Sequence, residues 1–113
     1  MSKEMFVKAI RRFQNYYSHL ETKNKLLEKA FGSDSCVMDF SGLEELRDSI
    51  VDLTKVIFPS LLEKVIADNI DWYLYEVPML EGDAEVFDGE RKYNIKSPED
   101  LFDMLSNFNK EMS

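Results

Sequence analysis

The sequence predicts an α+β domain that is mainly α, with about four helices and one small β-hairpin before the C-terminal helix. Three observations predict it. Apolar residues recur at helical spacing through three segments between Phe6 and Tyr73. The period changes to two on either side of Asp88-Gly89, and Ser97-Pro98-Glu99-Asp100 is a strong helix-start signal. The chain of 113 residues suits one domain, 1–113, and is too short for two ordinary ones.

The first element has the clearest pattern. Phe6, Ile10, Phe13, Tyr17, Leu20, Asn24, Leu27 and Phe31 are separated by alternating steps of four and three, which puts all eight on one stripe of a helix from about residue 3 to about residue 31. Gly32 follows where a C-terminal cap belongs. At 1.5 Å per residue this helix is roughly 40 Å long, so it must kink, lie across everything else, or extend to meet a second copy. Asn24 is the polar member of the stripe. In a coiled coil it would fix register; in a monomer it marks where the helix leaves the core.

Gly32 to Phe40 reads as a loop, and Ser41 with Glu44 forms a capping box at the start of a second helix. Leu43, Leu46, Ile50, Leu53 and Ile57 give that helix an apolar face ending near Ile57. Pro59 stops it and suits the first position of a third helix, whose buried face is expected to be Leu62, Val65, Ile66, Asn69, Ile70 and Tyr73. Asp71–Glu76 holds three aromatics in four residues, which suits a strand. The helical period from Leu62 nevertheless runs into it, so it is read as helix ending before Pro78. Ala84–Phe87 and Glu90–Ile95 flank Asp88-Gly89 as a hairpin whose two turn positions both require positive φ. Ser97 then caps a last helix with Pro98 at its first position, acids in its first turn, and Leu101, Phe102, Leu105 and Phe108 as its apolar residues.

A hydrophobic fraction of 44%, with 12% aromatic residues, is that of a globular chain and not a disordered one. No stretch approaches the ~20 apolar residues of a membrane span, and the opening Met-Ser-Lys-Glu-Met-Phe-Val-Lys lacks a secretory pattern. Cys36 is the one cysteine, so no internal disulfide forms and a cytoplasmic setting is expected. The net charge of −8 is unevenly spread. Residues 1–32 carry seven Lys/Arg against three acids (net +4), and the remainder carries seven against nineteen (net −12). Either the basic segment packs on the acidic remainder, or the acidic part faces a basic partner. Direct nucleic-acid binding is not expected of such a chain.

Little in the sequence points to catalysis. His19 and Cys36 are each the single residue of their type, which excludes a structural zinc set from one chain, and neither has a neighbour that marks an activated pair. The spacing of Asp83, Glu85, Asp88 and Glu90 does not match a calcium loop, so no metal is expected. None of the four glycines is spaced as in a phosphate-binding loop. Neither an enzyme nor a cofactor is expected. Residues 71–90 do stand out: Asp71, Glu76, Glu81, Asp83, Glu85, Asp88 and Glu90 occur there with no Lys or Arg, among Trp72, Tyr73, Tyr75, Met79, Leu80 and Phe87. Aromatic anchors with an acidic rim suit a surface for a basic protein, with Trp72 and Tyr75 as anchors. The competing reading makes the aromatics core and the acids the wet side of a loop and hairpin.

Asp71-Trp72 followed by Tyr73-Leu74-Tyr75-Glu76, and then Tyr93-Asn94-Ile95-Lys96-Ser97-Pro98-Glu99-Asp100-Leu101-Phe102-Asp103, resembles short proteins of unknown function encoded by phages and prophages. Those open with a long amphipathic helix, carry D-W near an aromatic-rich L-Y-E, and end in a strand leading to a capped helix. The resemblance implies a bacterial host cytoplasm and an accessory role, and it transfers no catalytic or ligand residues. The leading expectation is therefore a non-enzymatic interaction module acting through its acidic-aromatic surface, including inhibition of a host nucleic-acid-binding or defence protein by DNA mimicry. One alternative is a structural homodimer assembled through Phe6, Ile10, Phe13, Tyr17 and Asn24; another is a small-molecule-binding protein or enzyme.

Overall fold

A computed structural model describes residues 2–32 and 40–113. Cys36 and most of the expected Gly32–Phe40 loop lie outside the described residues. The elements run α1 (Ser2–Phe31), α2 (Phe40–Ile57), α3 (Glu63–Asp71), a π-helical turn (Trp72–Glu76), a 3-10 turn (Val77–Met79), β1 (Glu85–Asp88), β2 (Arg91–Asn94) and α4 (Pro98–Met112). The fold is mainly α with a small antiparallel hairpin before the last helix.

The α1 stripe is used in two ways. Phe6, Ile10 and Phe13 are fully buried and Leu20 nearly so. Beyond Leu20 no α1 residue is buried; Asn24 and Leu27 are half-buried. The last eleven residues, about 16 Å of helix, therefore project past the core. The molecule is correspondingly elongated, 53 × 29 × 23 Å. Gly32 ends the helix at φ +93°, a left-handed conformation open to glycine without strain, and its N–H donates to the Glu28 carbonyl at 2.9 Å.

The other helices fold back on the N-terminal part of α1. Near the start of α2, Gly42 faces the Tyr16 ring so closely that an added Cβ would stand 2.6 Å from Tyr16 Oη. At the far end Leu53 meets Met5 and Ala9, so α2 runs antiparallel to α1. The pairs Lys3–Asp103 at 2.9 Å and Arg11–Glu99 at 3.8 Å set α4 antiparallel to α1 as well. Lys55–Glu63 at 3.2 Å and Arg47–Asp71 at 2.7 Å do the same for α3 against α2. Phe102 joins the layers, with ring centroids 5.5 Å from Phe6 and 5.0 Å from Phe58. The buried polar residue of this core, Thr54, satisfies itself locally by donating to the Ile50 carbonyl at 2.6 Å.

Several expected boundaries shift. Ser41 is already helical, so it does not stand ahead of α2 as a cap. The third helix begins at Glu63 and not at Pro59. Phe58 and Leu61 turn inward and are buried, with the Leu61 N–H on the Phe58 carbonyl, and this tight turn displaces the helix start. Leu62 consequently faces solvent, 64% exposed, and not the core. In the hairpin Asp88 pairs with Arg91, so the loop is Gly89-Glu90. Positive φ is needed only at Gly89 (+60°), as in a turn with glycine at its first central position. The last helix begins as the sequence specifies: Ser97 Oγ accepts from the Asp100 N–H at 3.3 Å, while Asp100 accepts from the Lys96 N–H at 2.9 Å.

Candidate functional site

Residues 71–76 show why two secondary-structure signals competed there. In an α-helix four consecutive residues spread over most of the circumference, so Trp72, Tyr73, Leu74 and Tyr75 cannot all turn toward one core. The chain widens to a π-helical turn, closed by the Val77 N–H on the Trp72 carbonyl. Tyr73 and Leu74 are then buried side by side, and Trp72 and Tyr75 are half-buried against the same core. Tyr75 meets Phe13 edge-on at 5.5 Å. Burial raises the ionisation of both Tyr73 and Tyr75 above the ordinary tyrosine range; a hydrogen bond with Gln14 opposes the shift at Tyr73.

The turn is fastened at its start. Arg47 of α2 grips Asp71 with two parallel bonds, Nε to Oδ1 at 2.7 Å and Nη2 to Oδ2 at 2.8 Å, and a third donor reaches Asp48 at 3.0 Å. These bonds hold the guanidinium firmly protonated, the Asp71 bond contributing most. Nothing in the sequence marked Arg47. The partner of Asp71 lies twenty-four residues back on another helix, which no local pattern reveals.

Past Glu76 the backbone turns outward. Pro78 has no N–H to extend a helix, the Leu80 N–H closes a 3-10 turn on the Val77 carbonyl, and Leu80 is extended. The residues that follow leave the core: Met79 is 83% exposed and Leu80 47%. The chain re-enters at Ala84, whose carbonyl accepts from the Ile95 N–H at 2.8 Å, and continues into β1. On the outer face of the hairpin Phe87 is 72% exposed, with Lys92 Nζ 5.9 Å from its ring centre and 2.9 Å from Glu85. Val86 and Tyr93 pack inward, Tyr93 edge-on to Phe108 at 5.7 Å. Where Pro78 turns away, a cleft of about 320 Å³ opens along α1, lined by Phe13, Gln14, Tyr17, Ser18, Glu21, Leu74 and Pro78.

The expected contact residues thus separate into two groups. Asp71, Trp72 and Tyr75 are built into the fold: one is clamped by Arg47 and two pack on the core. The half-burial of Trp72 and Tyr75 favours the reading that makes these aromatics part of the core, while Asp71 keeps 43% of its side-chain exposure. Glu76, Glu81, Asp83 and Glu90 are exposed and form no ion pair among the described residues. Glu85 is paired with Lys92, and Asp88 is half-buried beside a second cleft shared with Leu62, Val65, Phe108 and Met112. Within residues 71–90 the large apolar side chains left exposed are Met79, Leu80 and Phe87. Met79 and Leu80 fall in a segment with no period and hence no face to bury, and Phe87 falls on the strand face opposite Val86.

The stripe offered as an alternative self-pairing surface divides in the same way. Phe6, Ile10 and Phe13 have no exposed surface and are occupied by the chain's own core. Tyr17 lines the cleft, and Asn24 is half-buried on the projecting part. Among the described residues no group of three or more His, Cys, Asp or Glu is placed to hold a metal ion, and no helix is long and apolar enough to cross a membrane. No protein-family model, curated protein or solved structure matches this chain.

Proposed function

We propose that this chain is a non-enzymatic interaction module that binds a basic protein surface through residues 76–90. One observation carries the reading. Met79, Leu80 and Phe87 stand exposed among Glu76, Glu81, Asp83 and Glu90, on a segment anchored at one end by the Arg47–Asp71 clamp and at the other by the hairpin. Exposed apolar side chains in a segment rich in unpaired acids combine anchoring with steering. The pattern favours an anchored interface over pure imitation of a phosphate backbone, which has no use for three solvent-facing apolar groups. An accessory role in a bacterial cytoplasm, as the phage and prophage resemblance implies, is part of the proposal.

The test is capture from bacterial lysate with tagged wild-type chain and with Met79→Ser/Leu80→Ser, washed at low and at high salt. Both substituted positions are exposed, so the variant is expected to fold as the wild type does. A basic protein retained by the wild type through the high-salt wash, and lost by the variant, is the expected result. Complete loss from the wild type at high salt would favour charge mimicry instead. Equal retention by both chains would refute the reading.

A further inference from the structure

The end of α1 has a face that the core does not use. His19, Thr22, Lys23, Leu26, Lys29 and Ala30 fall on one side of the helix, opposite the stripe that enters the core, and all six are exposed. Leu26, 63% exposed, lies at the centre of that face, with Lys23 and Lys29 to either side. Neither lysine forms an ion pair among the described residues.

A complement to this face lies on the same chain. The cleft beside Phe13, Tyr17, Leu74 and Pro78 is mainly apolar, with Gln14, Ser18 and Glu21 along its α1 edge, and the segment that continues from Pro78 carries Met79 and Leu80, with Glu76, Glu81 and Asp83 near them in sequence. The α1 end cannot fill this cleft itself, because the cleft lies on the flank of the same continuous helix. The α1 end of another copy can reach it, and its lysines match the acids beside the cleft in charge. We propose that a second copy of this chain docks the Leu26 face of its projecting α1 into the Phe13–Tyr17–Leu74–Pro78 cleft, with Lys23 and Lys29 against Glu76, Glu81 and Asp83. This deepens the reading of 76–90 as a contact surface, and rests on it, by naming the basic surface as the Lys23–Lys29 face of a second copy.

The net charge of −8 per copy does not forbid the contact. At physiological ionic strength the screening length is about 8 Å, well below the 53 Å length of the molecule, so distant repulsion is damped while apposed pairs still attract. Because the contact joins two patches on different sides of α1, it is head-to-tail and grows into chains unless the rotation between copies closes a ring.

Sedimentation velocity on the full chain tests this. At about 200 µM in about 0.15 M salt the mass should rise above 13.3 kDa, and near 1 M salt, where the charge pairs are screened and the apolar contact remains, association should weaken without being lost. Lys23→Glu/Lys29→Glu and Glu76→Lys/Glu81→Lys should each be monomeric alone, since each sets like charges face to face. Mixed in equal amounts, they should associate again. A wild type that stays at 13.3 kDa at every concentration overturns the proposal, and then the capture experiment with Met79→Ser/Leu80→Ser decides the reading of 76–90 separately. Undiminished association of Glu76→Lys/Glu81→Lys overturns the proposal and removes the acidic segment from this contact.

Discussion

Breaking the Arg47–Asp71 clamp tests whether the candidate site is held from its N-terminal end. The pair is bidentate and short, but it is not deeply buried: the side chains keep 26% and 43% of their exposure. Charge-assisted bonds to a buried partner are worth about 1.5–3 kcal/mol, whereas exposed ion pairs give about 0.2–1 kcal/mol. Half-exposed and in ideal fork geometry, this pair should couple by about 1–1.5 kcal/mol. A double-mutant cycle with Arg47→Ala, Asp71→Ala and the double variant, followed by urea denaturation, isolates that term. At roughly 4 °C per kcal/mol for a chain of this size, losing that coupling should lower the melting temperature of the single variants by about 4–6 °C. Arg47→Lys should recover less than half of the coupling, because an ammonium cannot make two parallel bonds. A coupling below about 0.3 kcal/mol, or a lysine variant equal to wild type, would refute the idea that the fork fixes the start of the π turn.

Three further perturbations have definite expected outcomes. Phe13→Ala should cost about 3–5 kcal/mol in chemical denaturation, since the ring is fully buried and supports Tyr75; a loss under about 1 kcal/mol would contradict that packing. Removing the Ser97 hydroxyl as Ser97→Ala should cost about 1 kcal/mol, and an unchanged denaturation midpoint would mean that the α4 cap contributes nothing. In alkali, the raised ionisation of Tyr73 and Tyr75 means that the unfolded chain loses these protons first, from about pH 10. Stability should therefore be full below that pH and fall above it, and Tyr73→Phe should flatten the decline, as read by denaturation midpoints across pH.

Much of the fold is legible wherever burial and period agree. The long first helix, the hairpin and the Ser97 cap are encoded within a few residues of themselves, by a repeat, a Gly89 turn and a Ser-Pro-Glu-Asp start. The π turn is not legible in this way. Its cause is a demand to bury both Tyr73 and Leu74 against elements packed around Phe13, and a sequence window contains only one side of that contact. The same limit applies to the site. The acids at 76–90 are visible as a run, but the inward turn of Trp72 and Tyr75 and the outward turn of Met79, Leu80 and Phe87 follow from where the core ends.

The position of the cleft follows from two terminations that coincide. Along α1, the stripe passes from the fully buried Phe13 to the half-buried Tyr17 at the level of Leu74, the last buried residue of the π turn. Four residues later in the chain Pro78 removes the donor that a further helical turn needs, so no side chain is carried forward over Tyr17 and Glu21. Had the helix continued, Met79 and Leu80 would have had a surface to cover; instead they stand beside an open apolar groove. Cleft and exposed side chains thus have a single cause, one proline set where a long helix outlasts its core. That arrangement leaves apolar surface on both sides of the break, which water disfavours and a partner helix would relieve.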